Sequence, residues 1–208
     1  YNPIFEKAVK TGDTIICIHP SSKLSGTVRS AQVASQDFPK ADIRIVDTQT
    51  IACNLGTLVL LANKWAKENI EKNLLLSRLD ELITRSRIYI LVDTLEYLHK
   101  GGRIGGAKAL VGEILQVKPI LTIKNGQVEP FEQQRTKRRA LVRLVEIAKE
   151  QCEPSEDSHL CVMHADALQD AEALAIELKI ILALKDIPIY EVPPAIVVHA
   201  GPKVLGLG

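Results

Sequence analysis

The chain has 208 residues, 46% of them hydrophobic, which is enough to bury a core in one large domain or in two small ones. Its 26 basic and 25 acidic residues nearly cancel, and this balance excludes a general electrostatic attraction to nucleic acid or to an anionic membrane. Aromatic residues make up only 4% of the chain, too few for a surface that stacks nucleic-acid bases, and no apolar run is long enough to span a membrane.

Strand and helix signals alternate through the first part of the chain, which favours a parallel sheet with helices packed against it. The last helix of this part is predicted to bury Leu74, Leu75, Leu79 and Leu82. Since the sequence opens inside a helix and does not begin with Met, we expect it to be N-terminally incomplete. The predicted elements are helix 1–10, strand 15–18, helix 27–35, strand 41–46, and helices 52–67 and 71–87.

A different pattern begins near residue 88, because Asn125-Gly126 predicts a β-hairpin with a type I′ turn and hence antiparallel pairing. We therefore predict the α/β class, with a parallel α/β domain at 1–87 followed by an α+β domain at 88–208 that has an antiparallel or mixed sheet. The predicted elements are strand 88–92, helices 94–100 and 106–116, strands 120–124 and 127–131, helix 138–150, strand 159–163, helix 168–184, and strands 187–190 and 195–199.

The loop after the first strand carries the strongest functional signal. The strand stops at Pro20, hydroxyl residues follow, and Ser25, Gly26 and Thr27 then open a helix. The first amides of a helix lack partners and the helix dipole is positive there, so this corner is suited to a phosphate or a carboxylate. The Lys and acidic residues of a P-loop are absent, so the group need not be a nucleotide. The alternative is that Ser25 only caps the helix.

Asp47 and Thr48 end the second strand, at the sheet edge that commonly faces ligands in open α/β sheets. The alternative is that they serve as N-caps of the next helix. The four cysteines, including Cys17 and Cys161 within predicted strands, form no C-x-x-C pair. They are typical of reduced thiols in a cytoplasmic protein.

Two features of the second part have both a structural and a functional interpretation. Ala107, Leu110, Val111, Ile114 and Leu115 share one face of a predicted helix, as an ordinary core would. His199 is predicted to end a strand at a turn, either as a core histidine or as a ligand contact.

A cluster of cations opens the predicted helix near residue 138, where positive charges oppose the helix dipole. This placement favours either a solvated surface or a docking site for an acidic partner or a phosphate. The cluster consists of Arg135, Lys137, Arg138 and Arg139.

The sequence resembles the DegV family of bacterial fatty-acid-binding proteins over essentially its whole length. The long motif Asp93-Thr-Leu-Glu-Tyr-Leu98 is the most specific part of this resemblance. Residues 21–27 (Ser-Ser-Lys-Leu-Ser-Gly-Thr), 46–48 (Val-Asp-Thr), 118–122 (Lys-Pro-Ile-Leu-Thr) and 199–202 (His-Ala-Gly-Pro) match in order and spacing. Two departures are Ala52, where the family has a second Ser, and Thr136, where it has Gly.

The resemblance implies a two-domain DegV-like fold, no catalytic residue, no metal and no cofactor other than a bound long-chain fatty acid. It also implies that a fatty acid kinase phosphorylates the bound carboxylate for phospholipid synthesis, docking at Arg135 and Arg138. Family members carry an upstream βα segment with a Thr-Ser-Gln-Pro-Ser loop that completes the ligand site. The implied head-group residues are Ser22, Ser25, Gly26, Thr27 and His199, and the implied tail residues are Leu95, Leu98, Ile104, Ala107, Leu110, Val111, Ile114 and Leu115.

Two other hypotheses remain open from the sequence. In the first, the chain is a small-molecule phosphotransferase that binds phosphate at the Ser-Gly-Thr corner and Mg²⁺ through Asp47 and Asp93. In the second, the chain without its upstream segment binds no ligand and has only a structural role.

Overall fold

The computed structural model describes residues 1–110, 117–152 and 159–208. The chain divides into two compact units. Unit 1 comprises Tyr1–Ile51 and Leu55–Arg85, and unit 2 comprises Ala52–Asn54 and Ser86–Gly208. The predicted domains at 1–87 and 88–208 stay a prediction.

Unit 1 contains the predicted parallel sheet. Strands β1 (Ile15–His19) and β2 (Ile43–Asp47) pair in parallel, with His19 opposite Asp47 at their carboxyl ends. Four helices accompany these strands: α1 (Asn2–Thr11), α2 (Thr27–Ser35), α3 (Ala52–Lys67), whose first turn belongs to unit 2, and α4 (Lys72–Arg85).

The core of unit 1 forms between α3 and α4. Leu58 of α3 and Leu79 of α4 are almost fully buried, and Leu82 packs partly buried against the same cluster. Leu74 is 47% exposed, so its predicted burial is wrong. Residues 75, 79 and 82 follow the i, i+4, i+7 spacing of one helical face, and Leu74 lies about 100° around the helix from Leu75.

Unit 2 is built on a mixed sheet of six strands in the order β5-β4-β3-β8-β6-β7. Only β6 and β7 pair in parallel. The strands are β3 (Tyr89–Leu91), β4 (Lys118–Lys124), β5 (Gln127–Gln134), β6 (Val162–Ala165), β7 (Ile189–Glu191) and β8 (Val204–Leu207). The helices are α5 (Glu96–Lys100), a 3₁₀ helix (Gly105–Leu110), α6 (Lys137–Gln151), α7 (Leu168–Ile181) and α8 (Pro194–Ala200).

The core of unit 2 lies where α6 and α7 pack on the sheet. Leu144 of α6 and Leu178 of α7 are fully buried, together with Leu205 of β8. The predicted hairpin between β4 and β5 is confirmed, since Asn125 has φ 51° and Gly126 has φ 79°. Positive φ at both central residues defines the type I′ turn.

The prediction of a strand at 195–199 is wrong, because these residues lie in α8. The β-branched run favoured a strand, but Pro194 stands at the first helical position, where its fixed φ suits a helix and its missing amide costs nothing. Gly201, with φ 82°, ends the helix. The central strand β8 was not predicted at all.

The predicted helix at 106–116 also differs from the structure. Residues 105–110 form a 3₁₀ helix, and the rest of the prediction, including Val111, Ile114 and Leu115, lies outside the described residues. Two glycines disfavour an α-helix here, because both have low helix propensity and Gly105 adopts a positive φ of 53°. Among the described residues, no helix combines the length and the apolar character needed to cross a bilayer.

We expect Leu79→Ala to lower the free energy of unfolding by about 2–5 kcal/mol, because truncating a fully buried leucine leaves a cavity. Leu74→Ala on the same helix is the matched control and should change that free energy by about 0.5 kcal/mol or less. Urea denaturation followed by far-ultraviolet circular dichroism measures both. Equal losses for the two variants would contradict the buried face assigned to α4.

Candidate functional site

The Ser-Gly-Thr corner forms the start of helix α2. Helix α2 begins at Thr27 with Gly26 as its N-cap, and its first backbone hydrogen bond runs from the amide of Ser30 to the carbonyl of Gly26. The amides of Gly26, Val28 and Arg29 form no hydrogen bond within the described part of the chain. These N–H groups and the positive end of α2 make the corner suited to a bound anion.

The side chains of this corner are only weakly engaged with one another. Ser25 Oγ donates to Thr27 Oγ1 over 3.3 Å and accepts from the Thr27 amide over 3.4 Å, both long for such bonds. Both residues are half-buried, and Gly26 and Ser22 are exposed. The capping alternative is wrong, because Gly26 holds the N-cap position and α2 has no side-chain cap.

Asp47 and Thr48 hold this loop in place. Asp47 Oδ1 accepts hydrogen bonds from the amides of Ser22, over 3.2 Å, and Gln49, over 3.0 Å. Thr48 Oγ1 donates to the carbonyl oxygen of His19 over 2.7 Å and is almost fully buried. The alternative of these two residues as N-caps of α3 is wrong, because Ile51 is the N-cap and the intervening residues carry Asp47 and Thr48 away from the helix start.

His19 lies beside the Ser22 loop and was not singled out in the sequence. It ends β1 directly before the loop, it is 7% exposed, and its Nε2 has no hydrogen-bond partner among the described residues. Burial lowers the pKa of the imidazole, and the negative charge of Asp47 opposes this shift. A histidine at the last position of a buried strand, opposite an aspartate at the end of the next, was the available signal.

His199 lies in the last turn of α8, in unit 2. Its Nδ1 is buried and has no hydrogen-bond partner in the described ranges. The ring packs against Gly101 at the end of α5, where a Cβ atom would lie only 2.2 Å from Nδ1. Gly101 therefore makes room for the histidine. The role of His199 in a head-group site with Ser25 stays a prediction.

The predicted tail residues that the structure describes lie in α5, in the 3₁₀ helix and directly beside them. Leu98, Ile104 and Ala107 are buried, and Leu95 and Leu110 are half-buried. They supply an aliphatic environment in unit 2. Their contact with an acyl chain stays a prediction.

The basic cluster surrounds the start of α6. Thr136 caps the helix by accepting a hydrogen bond from the Arg139 amide over 3.2 Å. Arg135, Arg138 and Arg139 are exposed and make no ion pair with described residues. Arg138 and Arg139 line a cavity of about 430 Å³ on this surface.

Arg143 borders the same cavity but differs in its charge environment. It forms ion pairs with Glu132, Glu146 and Glu150 at 2.7–3.1 Å. The hydrogen bonds that Arg143 donates to these carboxylates raise its pKa, with Glu132 making the largest contribution. The positive charge of this surface that is not paired with described carboxylates therefore resides on the arginines at the helix start.

The carboxylates of the phosphotransferase hypothesis are already engaged. Asp93 in unit 2 pairs with Lys118 Nζ at 2.7 Å, and this hydrogen bond lowers the pKa of Asp93. Asp47 in unit 1 accepts the two loop amides described above. No group of three or more His, Cys, Asp or Glu side chains in the described ranges is placed to hold a metal ion.

Comparison with known proteins identifies relatives across the whole chain. The family model described as "Uncharacterised protein, DegV family" matches residues 1–208. A DegV domain-containing protein from Clostridium perfringens is 38% identical over 207 residues, which cover 98% of this chain and 73% of the relative. One from Streptomyces coelicolor is 38% identical over 196 residues, 94% of this chain and 69% of the relative.

Two solved structures share the fold. A DegV family protein from Thermus thermophilus, described by its fatty acid binding, has a TM-score of 0.90 at 30% identity, with 99% of this chain and 74% of that chain covered. A fatty acid binding DegV family protein from Streptococcus agalactiae has a TM-score of 0.90 at 27% identity, with 99% and 73% covered.

We expect the free energy of unfolding to fall on acidification because of His19. Its pKa is lower in the folded protein than the unfolded value of about 6.5, so below that pH the unfolded chain binds more protons. The contribution of the uncharged His19 to the free energy of unfolding is fully present above about pH 6.5 and is lost as the pH falls through the folded pKa.

The pH dependence of the free energy of unfolding is measured by denaturant unfolding of the protein and of His19→Gln at several pH values between about 5 and about 7.5. The variant should show a shallower decline than the original protein. His99→Gln, at an exposed position, is the surface control. Identical slopes for the original protein and His19→Gln would contradict a buried, uncharged His19.

Proposed function

Because this chain belongs to the DegV family, we propose that it binds a long-chain fatty acid and catalyses no reaction of its own. The observation that carries this proposal is the similarity to the fatty-acid-binding protein from Thermus thermophilus, over 99% of the chain and at 30% identity. The open anion corner at the start of α2 supports it independently. The protein would act in the cytoplasm, where its free thiols persist.

The carboxylate of the fatty acid would lie at the corner formed by residues 25–27. The hydroxyls of Ser25 and Thr27 and the amides of Gly26 and Val28 would donate hydrogen bonds to it. Ser22 borders the same loop. His199 would add a hydrogen bond through its Nδ1, or a balancing charge when protonated.

The acyl tail would lie among the aliphatic residues of unit 2 around Leu98, Ile104 and Ala107. Each buried methylene contributes about 0.8 kcal/mol, so roughly a dozen contribute on the order of 10 kcal/mol before the cost of binding. A charge-assisted hydrogen bond at the head contributes about 1.5–3 kcal/mol. The tail therefore supplies most of the affinity, and the head selects for a carboxylate and determines its position.

The exposed arginines at the start of α6 would receive a fatty acid kinase, which would phosphorylate the presented carboxylate for phospholipid synthesis. Arg135 and Arg138 form no ion pair with any carboxylate in the described ranges, and three basic side chains lie at the positive end of a helix dipole. An acidic surface of the kinase would relieve this repulsion. The chain would then be the acyl-carrying, non-catalytic subunit of that enzyme.

Solvent extraction of the purified protein followed by mass spectrometry should recover a long-chain fatty acid. Displacement of a fluorescent fatty acid by palmitate then measures affinity. The affinity of the double variant Ser25→Ala/Thr27→Val for palmitate should be about ten- to a hundred-fold lower, because charge-assisted hydrogen bonds to the carboxylate are removed.

Ser35→Ala is the matched control, because Ser35 ends the same helix and its hydroxyl donates to the carbonyl of Gln32 within that helix. It should leave the affinity unchanged. Recovery of no fatty acid, combined with no displacement by palmitate, would overturn the binding function. Equal affinities of the double variant and the control would overturn only the position of the head group.

Arg135→Glu/Arg138→Glu should lower acyl-phosphate formation by a fatty acid kinase at least about tenfold while leaving palmitate affinity unchanged, because charge complementarity acts on docking. Lys149→Glu reverses a charge at the other end of α6 and is the control. The rate of acyl-phosphate formation is measured at two salt concentrations. An unchanged rate for the double variant would rule out this surface as the docking site.

A further inference from the structure

A sulfur cluster lies in unit 2, outside the residues assigned to the lipid. Cys53, the second residue of α3, is 8% exposed, and Cys161, directly before β6, is 3% exposed. Cys53 Sγ lies 3.6 Å from Met163 Sδ. Cys161 and Met163 are two residues apart in an extended segment, so their side chains point to the same face of the sheet.

Two glycines of the neighbouring strand make space for these sulfurs. Gly208 and Cys161 exchange backbone hydrogen bonds of 2.8 and 3.1 Å, and Gly206 pairs with Met163. A Cβ atom on Gly208 would lie 2.4 Å from Cys53 Sγ, and one on Gly206 would lie 2.5 Å from Met163 Cε. Cys53 therefore lies over Gly208, and Gly208 is the residue directly opposite Cys161.

The two thiols form a pair with different proton affinities. The pKa of Cys53 is lowered because its thiolate accepts a hydrogen bond from the Cys161 thiol, and also from the backbone amides of Asn54 and Cys53; burial opposes the shift. Donation of this hydrogen bond to Cys53 raises the pKa of Cys161, and burial adds to it. The start of a helix is a recurrent setting for a reactive thiolate, and here the second thiol lies within reach.

We propose that Cys53 and Cys161 are a redox-active thiol pair that hydrogen peroxide converts to a disulfide. The Cys53 thiolate attacks one peroxide oxygen, the O–O bond breaks, and hydroxide leaves, so that Cys53 becomes a sulfenic acid. Cys161 loses its proton to that hydroxide and attacks the Cys53 sulfur. The S–S bond forms, the S–O bond breaks, and the second hydroxide takes up the proton first released by Cys53. Two thiols and one peroxide thus give one disulfide and two waters.

The disulfide would join the first turn of α3 to the start of β6 within unit 2. The other two cysteines differ from this pair in their surroundings. Cys17 lies in β1 of unit 1, and Cys152 follows the end of α6; both are partly exposed. Replacing Cys17 and Cys152 by serine leaves Cys53 and Cys161 as the two cysteines of the chain.

The test uses the variant Cys17→Ser/Cys152→Ser, which keeps only the proposed pair. After treatment with equimolar hydrogen peroxide, the protein is denatured, its remaining thiols are labelled with N-ethylmaleimide, and its intact mass is measured. The expected product has lost two hydrogens, takes up no label, and regains two labels after reduction. Proteolysis without reductant should yield one peptide that links residues 53 and 161.

Cys53→Ser and Cys161→Ser in the same background should each abolish the linked peptide while retaining the far-ultraviolet circular dichroism of the parent. Retention of both thiols after peroxide treatment would overturn the proposal. So would a product that gains oxygen on either cysteine without a link, or a disulfide that joins two chains.

Discussion

The hydrogen bond from Thr48 Oγ1 to the carbonyl oxygen of His19 is the contact on which the proposed head-group site depends. It joins the carboxyl ends of β1 and β2 at a buried position and over only 2.7 Å. A typical hydrogen bond of this kind contributes about 1 kcal/mol, and the Thr48 amide donates a second hydrogen bond to the same carbonyl oxygen over 3.2 Å. Together with the Asp47 carboxylate beneath the Ser22 amide, it determines where the loop turns into α2. The free amides of that helix start are consequently presented at the strand ends.

Three buried histidine nitrogens have no hydrogen-bond partner among the described residues. His19 Nε2 belongs to the residue that ends β1 before the loop to α2, and His199 Nδ1 belongs to a residue of the proposed head-group set. A buried polar atom without a partner is costly, and a ligand that bonds to it repays part of that cost. His164 Nδ1, in β6, is the third, and no part of the proposed function uses it.

The sequence predicted correctly those turns and helices whose formation depends on residues close together in the chain. The Asn125-Gly126 turn and the bounds of α2 and α3 follow from turn chemistry and from helical periodicity over a few residues. The prediction of a strand at 195–199 was wrong because it relied on the β-branched residues of this segment. Pro194 instead favours the start of a helix. The short strand β8 is specified by its neighbours on both sides and carries little signal of its own. The roles of Asp47, Thr48 and the Cys53–Cys161 pair arise from contacts between distant positions, which periodicity does not reveal.

A crystal structure of the protein with bound palmitate tests the central claim most directly. The account predicts that the carboxylate accepts hydrogen bonds from Ser25 or Thr27 and from the amides that begin α2, with the acyl chain extending among the aliphatic residues near Leu98 and Ala107. A palmitate whose carboxylate lies away from the start of α2, or whose chain lies on the surface of the protein, would contradict it.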